Sequence, residues 1–293
     1  MRFSGKCAIV TGSGSGIGKA TAILLAKEGA SVLIHGRDLS TIKETVAECE
    51  KVAVDDAKFP YVHGDIEEDD VLKSIHETAI KTFGKIDILV NNAGYTISIF
   101  RELKSGSLQL FDNLVKVLLR APIHLSQICL PELKQNNGNI VNISSVFGCK
   151  VSDLMPFYSI AKAGMNMFTQ CAALEFGGQG VRVNALCPGV VKTPVFERVC
   201  IPEDEFYSNV ARNVPIGKTG FKIQNIFFLF TPCDKQLPFS RLRTLNLIGC
   251  HNTATEIMYK SLRIIRSRDS VKSGASKLVI AGGGRRYGFW TPA

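Results

Sequence analysis

The stretch Thr11-Gly12-Ser13-Gly14-Ser15-Gly16-Ile17-Gly18 follows a short apolar run and leads at once into an amphipathic pattern. Glycine lets a chain turn tightly and lets its backbone approach a bound group closely. The free N–H groups at the start of a following helix favour a negatively charged phosphate. A plain glycine-rich turn is the alternative interpretation. The glycine-rich stretch, however, lies between a first strand and a helix, which is the context that dinucleotide binding requires.

Along the rest of the chain, short β-branched runs alternate with longer amphipathic patterns. The predicted strands are Cys7–Thr11, Ser31–Gly36, Phe59–His63, Ile86–Asn91, Gly138–Ser144 and Gly180–Leu186, and helices are predicted at 17–28, 40–51, 68–83, 107–134 and 157–177. Nearly continuous apolar strands joined by helices predict an α/β fold, a parallel sheet covered on both faces. Sites in such folds lie at the carboxyl ends of the strands.

Composition and charge exclude several classes of protein. The 293 residues are 45% apolar and 21% charged, which is ordinary for a globular chain and excludes collagen and disorder. The net charge of +9 comes entirely from residues 235–293, with 11 basic and 2 acidic side chains, because residues 1–234 carry 24 of each. The body of the protein is therefore not expected to bind nucleic acid.

Cysteine and histidine usage predicts reduced thiols and no metal site. The nine cysteines include no C-x-x-C pair, and the five histidines lack metal-ligand spacing. The N-terminus passes directly into an apolar run without room for a signal peptide. The longest apolar run, Ile226–Phe230, is too short to span a bilayer. These features predict a cytoplasmic protein without a membrane partner.

The end of the second predicted strand bears on the choice of cofactor. It reads Ile34-His35-Gly36-Arg37-Asp38. NAD sites usually place an acid here to hold the ribose 2′-hydroxyl, but Gly36 occupies that position. The guanidinium of Arg37 could instead pair with a 2′-phosphate, which favours NADP(H) over NAD(H). Asp38 is the competing candidate, although it also fits the N-cap of the next helix.

Three further strand ends carry polar or rigid groups. Gly64-Asp65-Ile66 and Asn91-Asn92-Ala93-Gly94 follow the third and fourth strands, and each alone could form an ordinary turn. After the sixth strand, Cys187-Pro188-Gly189-Val190-Val191-Lys192-Thr193-Pro194 predicts a rigid turn. Its Thr193 hydroxyl could meet a carboxamide.

Ser145, Tyr158 and Lys162 form the most specific constellation. Tyr158 and Lys162 are four residues apart, so both project from one face of a helix. A neighbouring ammonium is expected to lower the pKa of the phenol, which would make Tyr158 an acid and base near neutrality. Ser145 ends the fifth strand and could donate a hydrogen bond to a substrate carbonyl oxygen. Tyr-x-x-x-Lys alone is more often an ordinary exposed pair, and its position behind the serine and the glycine stretch makes it specific.

Together these motifs resemble the short-chain dehydrogenase/reductase family over residues 3–222, in particular NADP-dependent carbonyl reductases and 3-oxoacyl-acyl-carrier-protein-reductase-like members. The resemblance implies a Rossmann-type doubly wound sheet in three layers, a homotetramer or dimer, and hydride transfer between NADP(H) and a small carbonyl or secondary alcohol. It makes Tyr158 the acid, Lys162 its ribose-holding helper and Ser145 the substrate orienter. The implied cofactor contacts are Gly12, Ser13, Ser15, Gly16, Ile17, Gly18, Arg37, Asp65 (adenine), Asn91 (adenosine ribose), Ala93, Gly94, Tyr158, Lys162, Pro188, Gly189, Val191 and Thr193 (nicotinamide).

One departure from the family pattern affects catalysis. Members commonly carry a catalytic asparagine in a stretch like V-N-L-R, but this chain reads Lys116-Val117-Leu118-Leu119-Arg120. The asparagine position is therefore Leu118, whose side chain cannot hydrogen-bond the water that relays protons to the lysine. A catalytically impaired NADP-binding protein, acting as a sensor or scaffold, is accordingly the alternative function.

The second departure from the family pattern is the C-terminus, where two different helix–strand pairs match the expected last helix and strand. The first pair is Ile223–Phe230 and a degraded strand at Thr244–Gly249, and the second is Thr255–Ile265 and Lys277–Ala281. We predict that Lys277–Ala281 is the last strand. The expected organisation is thus a core at 1–222, an atypical, loosely packed helix and basic insertion at 223–272, and a last strand and tail at 273–293. The altered C-terminus makes oligomerisation less secure.

Overall fold

The computed structural model describes residues 1–54, 56–95, 103, 106–150, 155–191 and 193, and the backbone of 242–245. The chain divides into a unit Met1–Gly249 and a unit Cys250–Ala293. The second unit lies outside the described residues, so the following concerns the first.

The described strands form one parallel sheet. They are β1 (Cys7–Val10), β2 (Ser31–Gly36), β3 (Tyr61–His63), β4 (Ile88–Asn91), β5 (Asn139–Ile143), β6 (Arg182–Leu186) and β7 (Leu242–Leu245), in the spatial order β3-β2-β1-β4-β5-β6-β7. The described helices are α1 (Gly16–Lys27), α2 (Leu39–Val52), α3 (Asp69–Phe83), α4 (Leu108–Val115), α5 (Ala121–Gln135) and α6 (Pro156–Gly177). The order reverses at β1, which lies between β2 and β4, and crevices at such reversal points bind ligands.

Alternation along the strands creates two cores, one on each face of the sheet. In β1, Ile9 belongs to one core, whereas Ala8 and Val10 belong to the other. All three side chains are fully buried. Successive strand residues point to opposite faces, so a strand buried on both faces requires a helical layer on each. The predicted three-layer, doubly wound α/β fold is confirmed.

The predicted strands and helices of residues 1–186 are all present, with ends shifted by one or two residues. One difference is an interruption in the predicted helix 107–134. Helices α4 and α5 belong to one helix, Leu108–Gln135, which is interrupted by a π-helical turn at Lys116–Arg120. This helix is long and apolar enough to cross a membrane, but Leu114, Leu125 and Leu133 pack it into the core. Core packing therefore accounts for its apolar character.

The described sheet continues beyond β6 with a short strand. Leu242–Leu245 pairs in parallel with β6 and overlaps the first candidate strand, Thr244–Gly249. These four residues lie inside the predicted segment 223–272. An unpaired β6 would expose its backbone N–H and C=O groups, and β7 satisfies them. The predicted strand Lys277–Ala281 and the helices Ile223–Phe230 and Thr255–Ile265 lie outside the described residues.

Candidate active site

A cleft of about 340 Å³ opens at the carboxyl ends of the strands. It contains most of the residues predicted to form the site, namely Gly12, Ser15, Gly16, Ile17, Arg37, Asp65, Ala93, Gly94, Ser145, Tyr158, Lys162, Pro188, Gly189, Val191 and Thr193. Its size is typical of a site for a small molecule or cofactor. The structure therefore brings these predicted strand ends together around one cleft.

The glycine-rich turn is held close to the end of β4. Gly12 has a φ of +63°, and a side chain there would approach the Ala93 Cα to 2.7 Å. A side chain at Gly18 would collide with the carbonyl of Gly12, so this glycine permits α1 to pack on the turn. Gly18 and the fully buried Ser13 do not line the cleft. The structure gives these two predicted cofactor contacts a role in shaping the turn.

Asn92 and Thr11 fasten the turn and were not among the predicted site residues. The Asn92 side-chain amide donates to the carbonyls of Thr11 (2.9 Å) and Gly12 (3.0 Å). The Thr11 hydroxyl accepts from the backbone N–H groups of Asn92 and Ala93, both at 3.0 Å. The paired asparagines in the sequence were the available signal for this contact.

Asn91 is not brought to the cleft, in contrast to its predicted place beside the adenosine ribose. Asn91 is only 3% exposed, and its side-chain amide donates to the side-chain Oδ1 of Asn142 at 2.9 Å and to the Ser126 hydroxyl at 3.1 Å. Asn142 in turn donates to the Thr169 hydroxyl at 2.9 Å. A buried polar group needs such partners, and these tie β4 and β5 to the helices beside them. Asn91 therefore stabilises the packing of the sheet against its helices.

His35 lines the cleft beneath the glycine-rich turn. No role was predicted for it from the sequence. Its Nδ1 accepts a hydrogen bond from the Gly12 N–H at 3.3 Å, which requires the neutral ring. Burial lowers the pKa of His35 to about 4, and the nearby Gly64 backbone opposes this shift only in part. His35 therefore supports the turn as a neutral acceptor.

The end of β2 places both Arg37 and Asp38 at the cleft. The Arg37 guanidinium lies 3.5 Å from an Asp65 carboxylate oxygen and 6.0 Å from the centre of the Tyr95 ring. Asp38 accepts from the backbone N–H groups of Ser40 (2.8 Å) and Thr41 (3.2 Å) at the start of α2. Hydrogen bonds from Ser40 and Thr41 lower the pKa of Asp38. The interpretation of Asp38 as an N-cap is confirmed.

Ser145, Tyr158 and Lys162 come together at the other end of the cleft. Ser145 follows β5, and its hydroxyl accepts from the Phe147 N–H at 3.2 Å and hydrogen-bonds Tyr158. Lys162, only 4% exposed, donates to the Ile143 carbonyl at 2.7 Å. Its Nζ lies 5.7 Å from the centre of the Tyr158 ring. The predicted triad is thus assembled on β5 and α6.

The pKa values correct the expectation for Tyr158. Burial raises the pKa of its phenol to about 12, although the Ser145 hydrogen bond opposes this. The pKa was expected to fall because of Lys162, but burial lowers the pKa of Lys162 itself to about 8 and its ammonium is bound to the Ile143 carbonyl. Desolvation disfavours both charged forms. In this arrangement the Tyr158 phenol is protonated near neutral pH, and the pKa of Lys162 lies nearer to neutrality.

Leu118, which the resemblance places at the asparagine position, lines the cleft with an aliphatic side chain. Leu118 lies in the π-helical turn, is 1% exposed and lines the cleft with Val117. A side chain at Gly94 would approach its Cδ2 to 2.8 Å, so Leu118 packs directly against the β4 turn. π-turns within helices are frequent at functional sites.

The turn after β6 closes the cleft opposite the glycine-rich turn. A side chain at Gly16 would contact the Thr193 side chain at 3.3 Å, so the two turns meet face to face. Backbone N–H groups at the start of α1 and small residues on both turns suit an extended anionic dinucleotide. Within the described part of the chain, no group of three or more His, Cys, Asp or Glu residues could hold a metal ion.

Comparison with known proteins gives consistent matches. The short chain dehydrogenase family model matches residues 6–203. The 3-oxoacyl-acyl-carrier-protein reductase FabG of Thermotoga maritima is 36% identical over 224 residues, which cover 75% of this chain and 87% of that protein. A Caenorhabditis elegans short-chain dehydrogenase/reductase of unknown function, solved with cofactor, has a TM-score of 0.71 at 34% identity, covering 75% of this chain and 85% of that one. The apo-form glucose dehydrogenase of the same organism has a TM-score of 0.71 at 33% identity, covering 87% and 100%.

Proposed function

Because the chain belongs to the short-chain dehydrogenase/reductase family, which implies a nicotinamide cofactor, we propose that it transfers a hydride between NADP(H) and a carbonyl compound or secondary alcohol, with Tyr158 as acid and base. The observation that carries this proposal is the meeting of Ser145, Tyr158 and Lys162 in the same cleft as the glycine-rich turn. The bound nicotinamide supplies or accepts the hydride.

The protein's own groups manage the proton and the substrate oxygen. The Ser145 hydroxyl donates a hydrogen bond to the substrate oxygen, where negative charge develops during reduction. Tyr158, whose phenol is protonated at neutral pH, donates the proton to that oxygen. Lys162, with its pKa of about 8, is one helical turn away and can return a proton to the phenolate. Alcohol oxidation runs through the same groups in reverse.

Three features of the β2 end support NADP(H) rather than NAD(H). Gly36 offers no carboxylate to a ribose 2′-hydroxyl, and Asp38 is engaged at the N-cap of α2. The half-exposed Arg37 guanidinium borders the cleft, where it lies 3.5 Å from an Asp65 carboxylate oxygen, and it can also pair with a 2′-phosphate. Replacing Arg37 by Ala should weaken NADPH binding by about tenfold to a hundredfold, the usual range for a charged hydrogen bond, while NADH binding stays the same. Equal loss for both cofactors would argue against the assignment.

A second candidate, a catalytically impaired NADP-binding protein that acts as a sensor or scaffold, is favoured by Leu118 alone. The side chain at this cleft position cannot hold a water by hydrogen bonds, so proton supply to Lys162 through it is blocked. Hydride transfer and cofactor binding do not require that relay, because the triad is intact.

One experiment separates the two candidates. NADPH absorbance is followed with a panel of ketones, quinones and 3-oxoacyl thioesters, using Tyr158→Phe as the matched control. Turnover by the wild type and its loss in Tyr158→Phe would support the reductase. Turnover that survives the substitution would refute Tyr158 as the acid. Thermal stabilisation by NADPH without any turnover would support the catalytically impaired NADP-binding protein.

We also propose that the protein forms a homo-oligomer through α6. Ile160, Met167 and Leu174 are spaced seven residues apart and are 49%, 59% and 77% exposed. Residues at that spacing lie on one helix face, so they form an apolar stripe that a second helix could cover. A dimer or tetramer would bury this stripe.

A further inference from the structure

Two cysteine thiols lie side by side next to the catalytic groups. The sulfurs of Cys149 and Cys187 are 3.9 Å apart although 38 residues separate them in sequence. Cys149 ends the short 3-10 turn Val146–Gly148 that begins directly after Ser145, and it is exposed. Cys187 directly follows β6 and is fully buried. Cys149 is thus the exposed member of the pair, and Cys187 is the buried one.

Asn166 holds both sulfurs through a single side chain. Its amide nitrogen donates to the Cys149 sulfur at 3.3 Å and to the Gly148 carbonyl at 3.0 Å. Its carbonyl oxygen accepts from the Cys187 thiol at 3.5 Å. Asn166 is 7% exposed and lies one helical turn beyond Lys162 on α6. The pair of thiols is therefore positioned by the same helix that carries Tyr158 and Lys162.

The turn that carries Cys149 is packed directly against the catalytic helix. A side chain at Gly148 would approach the Lys162 carbonyl oxygen to 2.7 Å. The Ser144 hydroxyl donates to the same carbonyl at 3.1 Å, and the Ser145 hydroxyl accepts from Phe147 within the turn. A displacement of Cys149 is thus transmitted to Ser145 and to the backbone of Lys162.

We propose that Cys149 and Cys187 form a dithiol modification site that reacts with an oxidised low-molecular-weight disulfide, such as glutathione disulfide, and closes into an intramolecular disulfide that misaligns the catalytic groups. The Cys149 thiolate attacks one sulfur of the external disulfide, whose S–S bond breaks and releases one thiolate. Cys187 then attacks the Cys149 sulfur of the mixed disulfide and displaces the second thiolate. The external disulfide gains two electrons, the cysteine pair loses two, and the two thiol protons end on the released thiols.

The difference in exposure between the two thiols sets the order of these steps. Burial raises the pKa of the Cys187 thiol to about 12, so its thiolate is scarce, and it is shielded from external disulfides. Cys149 is accessible and is therefore the first to react. A disulfide bond is about 2.0 Å long, so closure must draw the sulfurs together by about 2 Å. Asn166 would lose its hydrogen bonds to both thiols.

The expected effect on the reaction follows from the position of Ser145. A misplacement of about 1 Å at reacting groups can cost about a hundredfold in rate. We therefore expect oxidation to lower turnover by about tenfold or more, and dithiothreitol to restore it. Because most intracellular thiols are kept reduced, the cross-link is expected to be transient in such a compartment.

The test incubates the full-length protein with glutathione disulfide and maps cysteine peptides by mass spectrometry. The wild type should yield a Cys149–Cys187 cross-linked peptide that dithiothreitol removes, whereas Cys187→Ala should stop at a glutathione adduct on Cys149. Turnover of Cys149→Ser should resist glutathione disulfide. Cys171→Ser, which removes another exposed cysteine of α6, is the matched control and should behave as the wild type.

Three results would overturn the proposal. The first is the absence of the Cys149–Cys187 peptide from oxidised wild type. The second is its presence with unchanged turnover, and the third is a loss of turnover in Cys149→Ser equal to that of the wild type. The cross-link is measured without substrate, so failure of the proposed reductase activity is distinguished from failure of this site.

Discussion

At the scale of single residues, buried polar side chains determine where the reactive groups stand. Lys162 is fixed by the Ile143 carbonyl, and Asn92 is fixed by two carbonyls of the glycine-rich turn. Each of these groups would be costly to bury without its partner. The same requirement removes Asn91 from the cleft, because its amide is used within the sheet. Hydrogen-bond satisfaction thus separates groups that face a ligand from groups that support them.

Restoring a polar side chain at the π-helical turn should raise turnover. An amide in Leu118→Asn can hydrogen-bond water at the cleft and supply protons toward Lys162. We expect turnover to rise by about tenfold, a fraction of what acid–base catalysis contributes, with little change in NADPH affinity. Steady-state kinetics and NADPH titration measure both quantities. Leu118→Ala is the matched control, since it opens the same space without a hydrogen-bonding group, and an unchanged or lower rate in Leu118→Asn would count against the relay.

The pKa of His35 predicts a loss of stability in mild acid. Its pKa is lowered to about 4 in the folded protein, so as pH falls through its ordinary value of 6.5 the unfolded chain binds a proton first. The stability contribution is complete above pH 6.5 and is lost progressively toward pH 4, by about 3 kcal/mol in total. Urea unfolding at several pH values measures this loss. His35→Gln should flatten the dependence of stability on pH, whereas His63→Gln, at an exposed position, should leave it unchanged. Identical pH profiles for the wild type and His35→Gln would contradict this role of His35.

At the scale of helices and strands, local signals in the sequence were sufficient for most of the sheet. Continuous β-branched runs and amphipathic patterns identified β1 to β6 and the helices between them, because burial on both faces leaves a strong pattern. β7 was harder to predict, because two C-terminal segments have similar patterns and pairing with a distant strand, as Leu242–Leu245 pairs with β6, is not displayed by the sequence. The supporting roles of Asn91, Ser13 and His35 depend on contacts between distant segments, which one sequence does not display.

The N-cap of α2 gives a test at this scale. Asp38→Ala removes the acceptor for the Ser40 and Thr41 N–H groups and should modestly lower the midpoint of thermal unfolding. Because Asp38 serves the helix, the ratio of NADPH to NADH affinity should stay as in the wild type. Asp38→Asn, which retains an acceptor, is the matched control and should unfold at nearly the wild-type temperature. A change in cofactor preference would show that Asp38 contacts the ribose instead.

At the scale of the whole molecule, charge and exposed apolar surface are unevenly distributed. The basic excess lies in residues 235–293, whereas the apolar stripe of Ile160, Met167 and Leu174 lies on α6. Single exposed apolar residues are common in monomers, but three on one helix face favour association. Association through the stripe would use a helix that also carries the catalytic groups.

Breaking the apolar stripe should dissociate the oligomer. Met167→Lys together with Leu174→Lys places two charges where a second helix would pack, which disfavours the interface by desolvation and repulsion. We expect light scattering to give the monomer mass for this variant and a multiple of 32.0 kDa for the wild type. Lys substitutions at the exposed Tyr61 and Leu39, away from α6, serve as the control. A monomeric wild type would contradict the proposed assembly.

The most direct measurement of the central claim is isotope transfer. The wild type and Tyr158→Phe are incubated with a reducible ketone and NADPH that carries deuterium at the transferable position, and the alcohol is analysed by mass spectrometry. We expect deuterium on the carbinol carbon with the wild type, and a large loss of that product with Tyr158→Phe although NADPH still stabilises the variant against heat. Equal deuterium transfer by the two proteins would contradict the claim.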